Sequence, residues 1–141
     1  MNKVMMEFDA VSENEGLARV CVAAFVTRLD PTLEEINDVK TAVSEAVTNA
    51  VIHGYENKGG IIRLEALIEG EELTLHITDF GKGIEDVEKA MEPLFTTDAA
   101  NERSGMGFTF MEVFMDELSV DSTPGEGTVI TMKKTFGEKH K

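Results

Sequence analysis

Three short segments hold residue types whose spacing could do chemistry. In Glu45-Ala46-Val47-Thr48-Asn49-Ala50-Val51-Ile52-His53-Gly54, the polar residues Glu45, Asn49 and His53 recur every four positions. On a helix they would share one face. An Asn amide oxygen is a neutral, hard ligand suited to Mg²⁺, which keeps several waters and takes phosphate oxygens. A Glu one turn away could position or deprotonate a nucleophile. A polar stripe turned to solvent would have the same spacing, so both readings stay open. In Leu73–Asp79, strand alternation puts Leu73, Leu75, Ile77 and Asp79 on one face and Thr74, His76 and Thr78 on the other. The carboxylate at the strand end then needs a donor on its apolar side. An adenine exocyclic amine would serve, and Gly81 and Gly83 would let the backbone pass close to a flat base. An Asp closing its own Asx turn is the alternative. Finally, Arg103-Ser104-Gly105-Met106-Gly107-Phe108 precedes an apolar run. Free N–H groups at a helix N-terminus there could cradle phosphate, with Ser104 and Arg103 as further donors. A helix-capping loop is the commoner meaning of such a Gly-x-Gly. Thr128, opening the last strand, could reach the base through its hydroxyl or belong only to a turn. In this order the pieces look like the floor, wall and lid of an ATP site.

The elements that must position these residues follow from periodicity. Lys3–Phe8 is predicted as a first strand. Ser12 and Glu15 have capping-box spacing, and Leu17, Val20, Cys21, Ala24 and Phe25 recur at helical spacing behind them. That pattern makes Cys21 a buried small hydrophobe. Asp30-Pro31 breaks the helix. Thr32 and Glu35 form a second capping box, and Ile36, Val39, Val43, Val47, Ala50 and Val51 carry the next helix to about His53, with Gly54 as its stop. Ile61–Ile68 and Leu73–Asp79 read as a hairpin. Glu85–Met91 is a short helix halted before Pro93. Leu94–Arg103 is polar and aperiodic, so it reads as a loop, part of a lid running from about Met91 to Ser104. Gly107–Glu117 is a helix, and Leu118–Ser122 with Thr128–Phe136 forms a last hairpin. The expected fold is α/β (α+β): a two-layer sandwich with a mixed, mostly antiparallel sheet and helices on one face.

The chain has 141 residues, enough for one domain spanning residues 1–141. Its net charge of −14 argues against a nucleic-acid binder and an anionic-membrane binder, both of which need a basic face. A single cysteine allows no internal disulfide. No secretory h-region opens the chain and no apolar stretch is long enough to span a bilayer, so a cytosolic location is expected. Asp79-Phe80-Gly81 spells the protein-kinase triplet, but the rest of that signature set is missing. No P-loop is present. His53, His76 and His140 supply no His/Cys metal set.

The three segments resemble the N, G1 and G2 boxes of the GHKL ATPase/kinase superfamily, whose members include gyrase, Hsp90, histidine kinases and MutL. The leading strand, Asp30-Pro31 and Ser44-Glu45-Ala46-Val47-Thr48-Asn49-Ala50-Val51-Ile52-His53-Gly54-Tyr55-Glu56 further resemble the anti-sigma serine kinases of sporulating bacilli. The resemblance covers essentially the whole chain. It implies a Bergerat-type ATP-binding fold, ATP/ADP and Mg²⁺ as cofactors, and a homodimer. Its implied partners are a sigma factor and an anti-anti-sigma protein, the latter phosphorylated on serine. Matched by position, Asn49 would hold Mg²⁺ and Glu45 would be the catalytic base. Asp79 would read adenine N6, with Gly81 and Gly83 beside the base. Ser104, Gly105, Met106, Gly107 and Phe108 would border the phosphates, Thr128 would approach the adenine and His53 would close the pocket. Arg19 would contact partners. No helical phosphoacceptor domain is visible, so phosphate would pass from ATP directly to another protein, or only to water. An ATP-gated binding module, a detached histidine-kinase catalytic domain and an acidic domain without nucleotide are the competing readings.

Overall fold

The computed structural model describes residues 1–91 and 102–137, with side chains in the helix beyond residue 101 described from Gly107 onward. In chain order the elements are β1 (Asn2–Asp9), α1 (Glu13–Val26), α2 (Leu33–Asn49), a π-helical turn (Ala50–Gly54), β2 (Ile61–Glu69), β3 (Glu72–Asp79), α3 (Val87–Ala90), α4 (Glu102–Phe114), β4 (Glu117–Thr123) and β5 (Gly127–Thr135). The strands form one sheet in the order β1-β2-β3-β5-β4.

Every strand pair among the described residues is antiparallel, where the sequence pattern allowed a mixed sheet. The reason lies between β1 and β2. One crossover helix would return the chain to the start of β1 and make β2 parallel. Two helices, α1 out and α2 back, deliver the chain to the end of β1 instead. Asp9 therefore pairs with Ile61, and the Ala10 N–H donates to the Gly60 carbonyl at 2.8 Å. The remaining neighbours are the two expected hairpins and the central β3–β5 ladder, which pairs Asp79 with Thr128.

One face of the sheet carries Ile62, Leu64, Ala66, Leu73, Leu75, Ile77, Ile130 and Met132, all buried. Helices α1, α2 and α4 cover it with Val22, Val26, Val39, Val43, Val47, Phe108 and Met111. Each large aliphatic side chain buried in this layer contributes about 1.5–3 kcal/mol. The Thr32 capping box is present in full: the hydroxyl accepts from Glu35 N–H and the Glu35 carboxylate accepts from Thr32 N–H.

Three local expectations are corrected. Ser12 makes no side-chain cap; the Glu15 carboxylate instead accepts from Arg19 at 2.8 Å and from the Ser44 hydroxyl at 2.7 Å, tying α1 to α2. The first helix turns its other apolar stripe inward: Ala18, Val22 and Val26 are buried, whereas Leu17, Val20 and Cys21 are exposed. Both stripes have helical spacing, and the smaller side chains let α1 approach α2 closely. Helix α4 begins at Glu102 and ends at Phe114, so it starts earlier and stops earlier than Gly107–Glu117. Of the proposed lid, residues 92–101 lie outside the described residues.

Candidate functional site

The N-box segment starts as ordinary α-helix. Glu45 is half-buried and Asn49 is buried at 8% exposure. At Ala50 the helix widens to a π-turn, and the Tyr55 N–H donates to the Ala50 carbonyl at 3.0 Å. Such a turn inserts a residue into the helical ladder and is common at functional sites. It brings His53 and Gly54 alongside the end of β3. His53 Nε2 is buried and has no hydrogen-bond partner among the described residues.

Asp79 ends β3 on the helix-facing side, as alternation required, and is only 5% exposed. Its Oδ1 accepts from the Gly81 N–H at 2.9 Å, so the Asx turn is real. The Thr128 N–H is a second donor to the carboxylate. A Cβ on Gly54 would lie 2.8 Å from the Asp79 carboxyl, and a Cβ on Gly81 would fall on the Gly54 carbonyl oxygen. Asp79, Gly54 and Gly81 thus meet at backbone distance because neither glycine has a side chain. Gly83, at φ +78°, packs against the Thr123 carbonyl.

The loop from Phe80 to Ile84 is pinned through four of its N–H groups. Phe80 N–H donates to the Tyr55 hydroxyl at 2.7 Å, Gly81 N–H to Asp79, Lys82 N–H to the Gly54 carbonyl at 2.9 Å and Ile84 N–H to the Ser122 hydroxyl at 2.7 Å. The Lys82 carbonyl accepts from Gly125 N–H at 2.6 Å. The wall is therefore preformed. Sequence reasoning missed Tyr55, Ser122 and the role of Gly54, which it took only as a helix stop. Their signal lies in tertiary contact, since each holds a segment distant in sequence.

The third motif is placed differently from its expectation. Gly105 and Gly107 lie inside α4, not ahead of it, because the helix already starts at Glu102. They do not form an N-terminal cradle in this conformation. Gly107 nevertheless faces the first motif: a Cβ there would lie 3.5 Å from Glu45 Oε1 and 3.9 Å from Asn49 Nδ2. Phe108 is buried in the core. The side chains of Ser104 and Met106 lie outside the described residues. Thr128 is buried beside Asp79. Arg19 stands apart on α1, half-exposed and paired with Glu15.

Burial pushes the Asp79 carboxyl above its ordinary value, against the pull of the Gly81 and Thr128 N–H groups. Burial, with the Lys82 ammonium second, holds His53 below its own. The exposed Glu56 is lowered by its hydrogen bond and ion pair with Lys82. These shifts have opposite consequences for stability. The His53 contribution is full above about 6.5 and is lost as pH falls through its lower folded value. The Asp79 contribution is full below about 3.8 and is lost as pH rises through its higher folded value. Denaturant midpoints measured from pH 7.5 down to 5.5 should therefore fall less steeply in His53→Asn than in the parent chain.

Among the described residues no cluster of three His, Cys, Asp or Glu could hold a metal by itself. The donor set still fits a magnesium–nucleotide, in which phosphate oxygens and water complete the shell and protein supplies few ligands. Asn49 offers one such oxygen, Asp79 an acceptor at a glycine-lined wall, and His53 Nε2 an unused buried nitrogen. No helix among the described residues is long and apolar enough to cross a membrane.

Comparison with known proteins identifies the family. Residues 8–134 match the histidine kinase-like ATPase domain family. An anti-sigma F factor of Clostridium acetobutylicum is 63% identical over 135 residues, covering 96% of this chain and 94% of that protein. One from Thermoanaerobacter sp. (strain X514) is 60% identical over 136 residues, covering 96% and 95%. Among solved structures, the RsbU and RsbW domains of a Mycobacterium tuberculosis protein align with TM-score 0.70 at 20% identity, over 96% of this chain and 32% of that one. The catalytic domain of the histidine kinase ThkA aligns with TM-score 0.59 at 16% identity, over 94% and 96%. The solved structures bear on the fold alone; the family match and the full-length relatives carry more, and this chain belongs to the histidine kinase-like ATPase domain family and, within it, to the anti-sigma F factors.

Proposed function

We infer that this chain is an anti-sigma factor that binds and inhibits a sporulation sigma factor and, as an ATP-dependent protein serine kinase, phosphorylates its anti-anti-sigma antagonist. The observation that carries the kinase reading is the meeting of the motifs: Gly107 against Glu45 and Asn49, and Asp79 against Gly54 and Gly81. Magnesium–ATP, when bound, supplies the transferable phosphoryl group and neutralises its charge. Asn49 is the side chain suited to hold the ion through its amide oxygen. Asp79, buried at the glycine-lined wall, would accept from the adenine amine. Glu45 takes the proton of the incoming serine hydroxyl. Positioning then accounts for most of the rate.

The nucleotide half is tested by calorimetric titration of ADP with Mg²⁺. Asp79→Asn should weaken binding by about 10- to 100-fold, the worth of a hydrogen bond to a charged group. Because burial disfavours the ionised Asp79, the empty variant should melt no lower than the parent. Tight ADP binding by Asp79→Asn would remove Asp79 from the base site.

The reading extends to residues 1–141 acting as one unit, to the cytoplasm and to a homodimer. Exposed Val4 and Met5 on the edge strand β1, with Leu17 and Val20 on α1, support a surface shared between two copies. Arg19 supports a partner contact, since Glu15 and Ser44 hold its guanidinium in place while part of it faces solvent. Sedimentation with a cognate sigma factor separates the two surfaces. Arg19→Ala should weaken the mixed complex by about tenfold or more, as for an anchoring Arg, and leave the homodimer intact.

A further inference from the structure

Ser122, near the end of β4, joins three segments through one hydroxyl. Its oxygen accepts from the Ile84 N–H at 2.7 Å, its hydrogen goes to the Gly127 carbonyl at 3.0 Å, and Thr128 Oγ1 lies 2.8 Å away. A serine hydroxyl has one hydrogen and two lone pairs. The Ile84 N–H can only donate and the Gly127 carbonyl can only accept. With its hydrogen committed to Gly127, Ser122 must accept from Thr128. The Thr128 hydrogen is then used, and its lone pairs are what the hydroxyl presents to any further group. Thr128 pairs across the sheet with Asp79, and both are buried on the helix side. The Asp79 carboxylate is an acceptor as well, held by the Gly81 N–H at 2.9 Å. Two adjacent acceptors favour an amino group and disfavour a carbonyl oxygen.

We propose that Ser122 is a positioning residue that fixes the Thr128 hydroxyl as an acceptor, so that the Asp79–Thr128 pair separates 6-amino from 6-keto purines. This rests on the nucleotide reading above. Without the Ser122 hydroxyl, the Thr128 hydrogen is free to turn and donate to a 6-keto oxygen. Ser122 also holds Ile84 in the loop beside the base, but loosening that loop would weaken every purine alike. Base selectivity therefore distinguishes the two roles.

The test titrates ADP and IDP, each with Mg²⁺, into the full chain. The parent should prefer ADP. Ser122→Ala should narrow the ADP-to-IDP affinity ratio by about tenfold, the worth of one neutral hydrogen bond, chiefly by gaining IDP. Ser122→Thr, which keeps the hydroxyl, should retain the parent ratio. Thr128→Val should narrow the ratio too, and it carries the test if Ser122→Ala does not fold. An unchanged ratio in Ser122→Ala, or in Thr128→Val where that variant stands in, overturns the proposal while ADP binding by the parent leaves the nucleotide reading standing. A parent that binds neither nucleotide removes both.

Discussion

Glu45→Gln is expected to slow phosphoryl transfer to a serine-bearing partner by about 10²- to 10⁴-fold, the usual worth of a general base. ADP affinity should stay within about threefold, because the change removes basicity and leaves volume and hydrogen-bonding reach nearly unchanged. The site geometry supports that separation. Glu45 is half-buried beside Gly107, where the absence of a Cβ leaves room at its Oε1. Asp79 sits at the far end of the same floor, against Gly54 of the π-turn. Single-turnover transfer measured alongside ADP titration checks both halves. A rate loss below about fivefold would assign the proton to another group and leave catalysis here to positioning alone.

Gly81→Ala is expected to destabilise the fold by about 3 kcal/mol or more, a fall in Tm of roughly 10 °C for a chain of this size. The added methyl would overlap the Gly54 carbonyl oxygen, a backbone atom that no rotamer change can move aside. That same carbonyl accepts the Lys82 N–H at 2.9 Å, so pushing it away also breaks the clasp between the π-turn and the loop. Gly70, also a loop glycine, has open space where a methyl would stand, and its φ of +61° brings only the ordinary left-handed penalty of roughly 1–2 kcal/mol. Thermal melts of Gly81→Ala and Gly70→Ala side by side therefore separate close approach from backbone conformation. Equal losses in the two would mean that the Gly54–Gly81 contact carries no special weight.

How far the sequence discloses this molecule depends on what kind of interaction sets each feature. Alternation in Ile61–Ile68 and Leu73–Asp79 is a local signal, and it placed both strands and the inward direction of Asp79 correctly. The Thr32–Glu35 box is equally local and is present. Ser12 with Glu15 has the same spacing yet makes no box: Ser12 is itself in the helical region, at φ −57° and ψ −31°, and the Glu15 carboxylate is held by Arg19 and Ser44. Helix α1 has two apolar stripes, and only the shape of α2 decides which is buried. The π-turn is invisible to a 3.6-residue period, since Ala50 to Gly54 still spell good helix. The residue types of the candidate site were legible in order; the contacts that assemble them, such as Tyr55 to Phe80 and Ser122 to Ile84, join positions 25 and 38 apart and have no local pattern.

The pinned Phe80–Ile84 loop has a calorimetric consequence. A segment whose amides are engaged before any ligand arrives has little disorder left to surrender. The heat-capacity change on binding a nucleoside should then reflect only the apolar area the base covers, without the larger signature of a chain that folds around its guest. Recognition at this end of the molecule is a matter of fit into a finished mould.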